Sequence, residues 1–245
     1  MRTPPDPVLY CAMAFAAAVT VAGAIRSHLN APPVDPRTAA ALHAVSGVVG
    51  GPQLRFTEAD VEPVVEAMHT AGFDTFVVRM DPTTGNTTVE LGEDATPHLD
   101  IKPGSCPNTI SIQPDGGRLA AAAARVTVGV LGNAFDVTQI DVDSTRMTLL
   151  DTALSPNVTR PVHMTFADVG TPFIGEGCAC HALQGDGLLD FVAQFDKASM
   201  IRKLPLNTFP HNSQVPLRVY GMLNEGRGIF SSHDCVRIVT HGSED

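Results

Sequence analysis

Leu99-Asp100-Ile101-Lys102-Pro103-Gly104-Ser105-Cys106-Pro107-Asn108-Thr109-Ile110-Ser111-Ile112 is the stretch on which the reading of the fold turns. Residues 99–102 and 109–112 carry β-formers. Between them lie Pro, Gly, Ser and Asn, which preset φ, tolerate positive φ or bond their own backbone. Strand, turn and strand is what this local chemistry favours. The same grammar repeats downstream, at 124–131, 146–150, 163–166, 189–195, 215–223 and 235–239. Eight short predicted strands separated by turn residues point to a mainly β fold, an antiparallel β-sandwich over residues 98–240. Leu119 and the alanines 120–124 interrupt the pattern as a biased patch, read as an irregular insertion or one helical turn without function.

Upstream the grammar differs. An Ala-rich run predicts a helix over 38–49, ended by Gly50-Gly51, and 53–56 reads as a brief strand. Thr57-Glu58-Ala59-Asp60 is an N-cap with acids in the first turn. Val61, Val64, Val65 and Met68 follow at helical spacing and Gly72 closes the helix. Residues 73–80 and 87–91 read as a hairpin around the turn at 81–86. Residues 37–97 are therefore expected to form a small α+β unit, helix–helix–hairpin, joined to the sandwich near 92–97. Residues 25–36, rich in Pro, read as a linker, and 241–245 as a tail.

The first 24 residues predict a secretory signal: Arg2 supplies positive charge, Val8 to Val21 is apolar, and Ala22-Gly23-Ala24 is a small-residue cleavage site. The alternative is an uncleaved anchor, because the apolar stretch 8–25 sits at the lower limit for crossing a bilayer. No later segment could span one. The localisation expected is secreted or cell-surface, with an unknown surface or extracellular partner. A net charge of −10 without a Lys/Arg cluster argues against nucleic acid. With no Trp and only 2 Tyr, an aromatic sugar platform has little support.

Four cysteines follow the signal: Cys106, Cys178, Cys180 and Cys235. An even number in an exported chain favours disulfides. Cys178 and Cys180 are too close to pair comfortably with each other. Each therefore pairs with Cys106 or Cys235, in either of two arrangements. Cys178-x-Cys180-His181 also has the look of half a zinc site, but zinc thiolate sites are usually intracellular. Asn86 and Asn157 head glycosylation sequons that count only in a eukaryotic host.

Several motifs, in order, resemble an uncharacterised β-rich module of secreted bacterial and archaeal proteins. They are the opening 99–108, the stretches 126–131, 135–141 and 144–146, Asp168-Val169-Gly170-Thr171-Pro172-Phe173 with Gly185-Asp186-Gly187-Leu188-Leu189-Asp190, and the closing Asp234-Cys235-Val236-Arg237-Ile238-Val239. The resemblance covers about 98–240 and implies an exported, non-catalytic module. Many of its members carry a loop of the type Asp-x-Asp-Gly-Asp-Gly-x-x-Asp that looks calcium-binding. Here Ala182 and Gln184 hold the first and third loop positions, and the expected acid is Asp168, displaced by an insertion of Val169 to Leu183.

Calcium takes six to eight oxygens, which such a loop draws from alternate side chains and carbonyls. The candidate ligands are Asp168, Asp186 and Asp190, with Gln184 as a fourth. The plain alternative is that Gly185-Asp186-Gly187 is a hairpin turn and Asp190 caps a strand. Catalysis has little support. No motif supplies a nucleophile with its base, and Ser231, Ser232, His233 and Asp234 are sequence neighbours that a strand sends to opposite faces. The chain is not expected to be an enzyme. The functional expectation is an exported, disulfide-stapled structural or interaction module, with calcium rigidifying its loop end. A calcium-dependent glycan- or envelope-binding module is the alternative, and an unrecognised hydrolase the third reading.

Overall fold

The computed structural model describes residues 35–49, 53–92, 95–112, 124–132, 135–151, 157–172, 178–180 and 184–240. The predicted signal or anchor, nearly all of the linker, alanines 120–123 and the tail lie outside the described residues. The chain separates into two compact units, 1–39 and 40–245. The described part of the first is the start of helix α1 (Pro36–Val48), where Asp35 accepts the backbone N–H groups of Arg37 and Thr38.

Within the second unit, helix α2 (Glu58–Thr70) begins where the sequence places its cap. The Thr57 N–H and hydroxyl both donate to Asp60 Oδ2, at 2.8 and 2.7 Å. Val61, Val64, Val65 and Met68 are its buried stripe. The expected hairpin follows as β1 (Phe76–Met80) and β2 (Thr87–Glu90). Asp81 Oδ1 ties its turn by accepting from the N–H groups of Thr83 and Thr84. Residues 53–56 form no strand. Phe56 is instead buried and its N–H donates to Gly226 O.

The remaining strands are β3 (His98–Ile101), β4 (Thr109–Ile112), β5 (Arg125–Leu131), β6 (Arg146–Leu149), β7 (His163–Ala167), β8 (Asp190–Asp196), β9 (Gln214–Leu223) and β10 (Gly228–Thr240). They build two sheets. The first runs β2-β1-β10-β9-β6, with β4 also on β10; the second runs β3-β5-β8-β7. All pairings are antiparallel except β4 with β10, which is parallel.

The core lies between the sheets. Val77, Met147, Leu217, Val219, Phe230 and Val236 of the first sheet pack with Ile101, Val126, Val128, Phe191, Ala193 and Phe195 of the second. This is the β-sandwich the strand pattern predicts. A second core covers the other face of the first sheet. There Phe76, Val78, Met80, Tyr220, Met222 and Ile229 meet Ala41 and Val45 of α1 and the apolar stripe of α2. Alternate residues of one strand thus feed different cores, as the two-residue period of a strand requires.

The sequence leaves open whether residues 37–97 stand apart from the sandwich or pack on its edge; in the fold β1 pairs with β10 over Phe76–Arg79. The hairpin is part of the sheet; apart from it, β1 would present a row of unpaired N–H and C=O groups. The last strand begins at Gly228, not near 235, and its buried Ser231, Ser232 and Asp234 hide it from a hydrophobicity pattern. A helix α3 (Lys197–Lys203) follows β8, capped by Asp196 accepting from Ser199 N–H. With Met200 as its one buried residue, it is too short to show a periodicity.

Candidate functional site

At one end of the sandwich the segments carrying Asp168, Cys178 to Cys180 and Gln184 to Asp190 come together with the β3–β4 loop. Two disulfides hold them: Cys106 with Cys180 and Cys178 with Cys235, at Cα separations of 5.4 and 4.8 Å. Of the two arrangements open to the sequence, the fold selects this one. Cys235 lies within β10, where Val236 and Ile238 are core residues, so one bridge ties the insertion to the first sheet.

Two of the proposed calcium ligands, Asp168 and Asp190, accept backbone N–H groups. Asp168 Oδ1 accepts from Asp186 N–H at 2.9 Å and Oδ2 from Gly187 N–H at 2.8 Å. A Cβ on Gly185 would lie 2.0 Å from Asp168 Oδ1, so only glycine lets the backbone come this close. Asp190 is fully buried. Its Oδ1 accepts from Gly132 N–H at 2.9 Å, and its Oδ2 from Val169 and Gly170 N–H at 2.8 and 3.1 Å. It thereby fastens the end of β5 and the strand-exit segment after β7 to the start of β8. Asp186 is exposed and its Oδ1 accepts from Leu188 N–H, closing a local turn. Gln184 is exposed, and its carbonyl accepts the Thr171 hydroxyl at 2.6 Å. Among the described residues no group of three or more His, Cys, Asp or Glu side chains could hold a metal ion.

Sequence reasoning missed a buried acidic network beside this clamp. Asp234 Oδ2 accepts from Ile101 N–H and from the Asn108 amide, and Oδ1 from Cys235 N–H. Burial pushes its carboxyl up to about 6 against these hydrogen bonds. Asp100 is likewise raised to about 6, by burial first and then by the charge of Asp190. Asp190 is raised by burial, opposed by its three N–H donors. Asp100 Oδ2 and Asn108 Oδ1 have no hydrogen-bond partner among the described residues. The signal available in the sequence was an acid inside a short strand, Asp100 between Leu99 and Ile101, which only burial on both sides makes telling.

Over the outer face of the second sheet the clamp borders an open cleft of about 490 Å³. Lys102, Ser105, Arg125, Thr127, Asp168 and Gln184 line it. Lys102 Nζ donates to Thr109 O and Arg125 Nη1 to Gln194 Oε1, so both cations are fixed. The lining is mainly polar, with Pro103 and Val169 among it. The glycosylation candidates lie elsewhere: Asn86 is exposed in the β1–β2 turn, and Asn157 is half-buried with its carbonyl bonded by the Thr148 hydroxyl. Ser231 and His233 face Asp74 and Thr75, with Ser231 Oγ donating to Asp74 O and His233 Nδ1 3.1 Å from Thr75 Oγ1, whereas Asp234 points to Ile101 and Asn108.

No helix among the described residues is long and apolar enough to cross a membrane. The two disulfides suit an oxidising environment. Comparison of the chain with protein-family models, with curated proteins and with solved structures gives no match.

Proposed function

We propose that this chain is an exported, non-catalytic interaction module whose disulfide-tied loop end is a preorganised contact surface. The observation that carries the reading is the use made of the oxygens of two loop acids: Asp168 and Asp190 accept backbone N–H groups from three separate segments, Gly132, Val169-Gly170 and Asp186-Gly187. Carboxylates so engaged fix loops in place. Both disulfides add covalent ties to the same loops. A rigid polar surface loses little conformational entropy on binding, which is what a contact module needs. The resemblance of residues 98–240 to a secreted module supports the same reading.

Its test is hydrogen exchange on the oxidised and the reduced chain. The N–H groups of Val169, Gly170, Asp186 and Gly187 should be protected when oxidised and exposed to exchange when both bridges are reduced. Fast exchange of all four in the oxidised protein would overturn the clamp.

Calcium-dependent binding of a glycan or envelope polymer is the second reading. It is favoured by the position of Asp168 and Gln184 in the wall of the cleft, next to the exposed Asp186. A thermal melt in millimolar calcium and then in chelator separates the two, because a ligand of the folded state alone must raise the melting temperature. The clamp predicts equal melts. A rise abolished by Asp186→Ala would establish a calcium site instead.

A further inference from the structure

Away from the acidic loop, the outer face of the first sheet carries a pocket of about 430 Å³ beside α2. Arg146 from β6, Tyr220 from β9, Arg160, and Glu58 and Glu62 from α2 line it, with Ser144. Register places Arg146 directly opposite Tyr220. Tyr220 is completely buried, yet its hydroxyl has no hydrogen-bond partner among the described residues. Burial also holds that phenol protonated, so it remains a donor.

Arg146 is 8 % exposed. Its Nη1 is committed to the carbonyls of Asp143 and Thr145, at 2.8 and 2.9 Å. Its Nη2 lies 3.6 Å from Glu58 Oε1, beyond hydrogen-bond range, and the Glu58 side chain is 67 % exposed. Burial and then the positive charge of Arg160 depress the Arg146 pKa. Arg160 is exposed and forms no ion pair with the described residues. Ser144 is already satisfied, donating to Asp141 O and accepting from Met222 N–H.

Burial and Arg160 weigh against the Arg146 charge, Glu58 and Glu62 offset them only from α2, with Glu58 no nearer than 3.6 Å, and the buried Tyr220 hydroxyl stays unmet among the described residues. Phenylalanine at 220 would fill the same space without an unmet polar group. An anion between the three donors removes both penalties at once. The acids on α2 narrow its chemistry. Glu58 and Glu62 repel a dianion but accept hydrogen bonds from hydroxyl groups. We propose that this pocket binds a small hydroxylated monocarboxylate, of the uronic-acid type. Its carboxylate accepts from Arg146 Nη2, Arg160 and the Tyr220 hydroxyl, and its hydroxyls donate to Glu58 and Glu62.

Titration calorimetry on the full oxidised chain tests this with glucuronate, glucose and inorganic phosphate as probes. Saturable binding of glucuronate is expected, weaker for phosphate and absent for glucose. Arg160→Gln, at an exposed position, should weaken glucuronate by about ten-fold or more. Tyr220→Phe should weaken it several-fold while leaving the melting temperature of the free protein unchanged or raised, an outcome a purely structural hydroxyl would not give. The proposal falls if glucuronate shows no saturable binding, if glucose binds as tightly, if phosphate binds more tightly, or if neither variant weakens glucuronate.

Discussion

The two sheets of this sandwich solve the same burial problem differently. The first has both faces covered, by the second sheet on one side and by α1 and α2 on the other. Its long strands are buried almost without interruption; in β9 all of Leu217 to Leu223 is inside. The second sheet buries one face against the first and covers the other only in part, with Asp190 and Val192 buried there but Thr127 and Gln194 half-buried, and its edge strand β7 is largely exposed. It compensates at its ends, where Asp190 gathers three backbone N–H groups and the disulfides bind the neighbouring loops. Stability in the first sheet is apolar packing. In the second, side-chain anchors and cross-links add to packing that covers its outer face only in part.

That contrast can be broken at its strongest point first. Phe230 is completely buried in the inter-sheet core and contacts Phe135, with ring centroids 6.3 Å apart. Phe230→Ala should cost about 3–5 kcal/mol in denaturant unfolding, by lost burial and the cavity left behind. Leu188→Ala, at an exposed loop position of the other end, should fall within about 0.5 kcal/mol of wild type in the same experiment.

Next in size is the bridge that ties the insertion to β10. The double change Cys178→Ser with Cys235→Ser should lower stability by about 2–4 kcal/mol. The loss should be read together with faster exchange in the segment 168–172, since the first sheet is held by packing and should keep its protection. Equal loosening of β9 would mean that the two regions do not differ as described.

Asp190→Asn tests the polar anchor alone. The amide keeps one acceptor oxygen but turns an NH2 toward an N–H, at an expected cost of about 1–3 kcal/mol in chemical denaturation. The change should be felt at Gly132, Val169 and Gly170, the three donors.

The smallest effect is a pH dependence with an unusual sign. Asp100 and Asp234 have carboxyls raised from 3.8 to about 6 in the fold, and Asp190 is raised as well. Below 3.8 these groups are protonated whether folded or unfolded. Between there and about 6 the folded state holds the extra protons, so their contribution to stability is lost as pH rises through that window. The exposed Asp35, Asp81 and Asp136 are lowered by local hydrogen bonds and act the other way, losing their contribution as pH falls through the acid range. The melting temperature should therefore be higher near pH 5 than near pH 7. A flat or rising profile across that interval would show that the buried acids titrate normally.

The strand and turn grammar between residues 99 and 223 was legible because each short strand is bounded by Pro, Gly, Asn or Asp, whose backbone preferences act locally. Thr109–Ile112 was read to the residue, and α2 announced itself through Thr57 and Asp60. The start of β10 was not legible. Ser231, Ser232 and Asp234 are polar residues buried by partners at distant positions, such as Asp74 and Ile101, and no window of neighbouring sequence contains that information. The loop acids were recognised as a group, but the backbone N–H groups they accept were not. A carboxylate spaced like a ligand and one spaced to catch backbone N–H groups look alike until the N–H groups are placed.

By itself, then, the sequence determined the β-rich class, the position of most strands, the helix cap at Thr57 and the limit of two disulfide arrangements, all consequences of local backbone chemistry and residue spacing. The tertiary structure alone decided which cysteines pair, that the hairpin joins β10, and that Asp168 and Asp190 anchor loops. It also set Arg146, Arg160 and Tyr220 around one pocket. These are relations between segments far apart in the chain, fixed only when the two cores close and bring their backbones within hydrogen-bond reach.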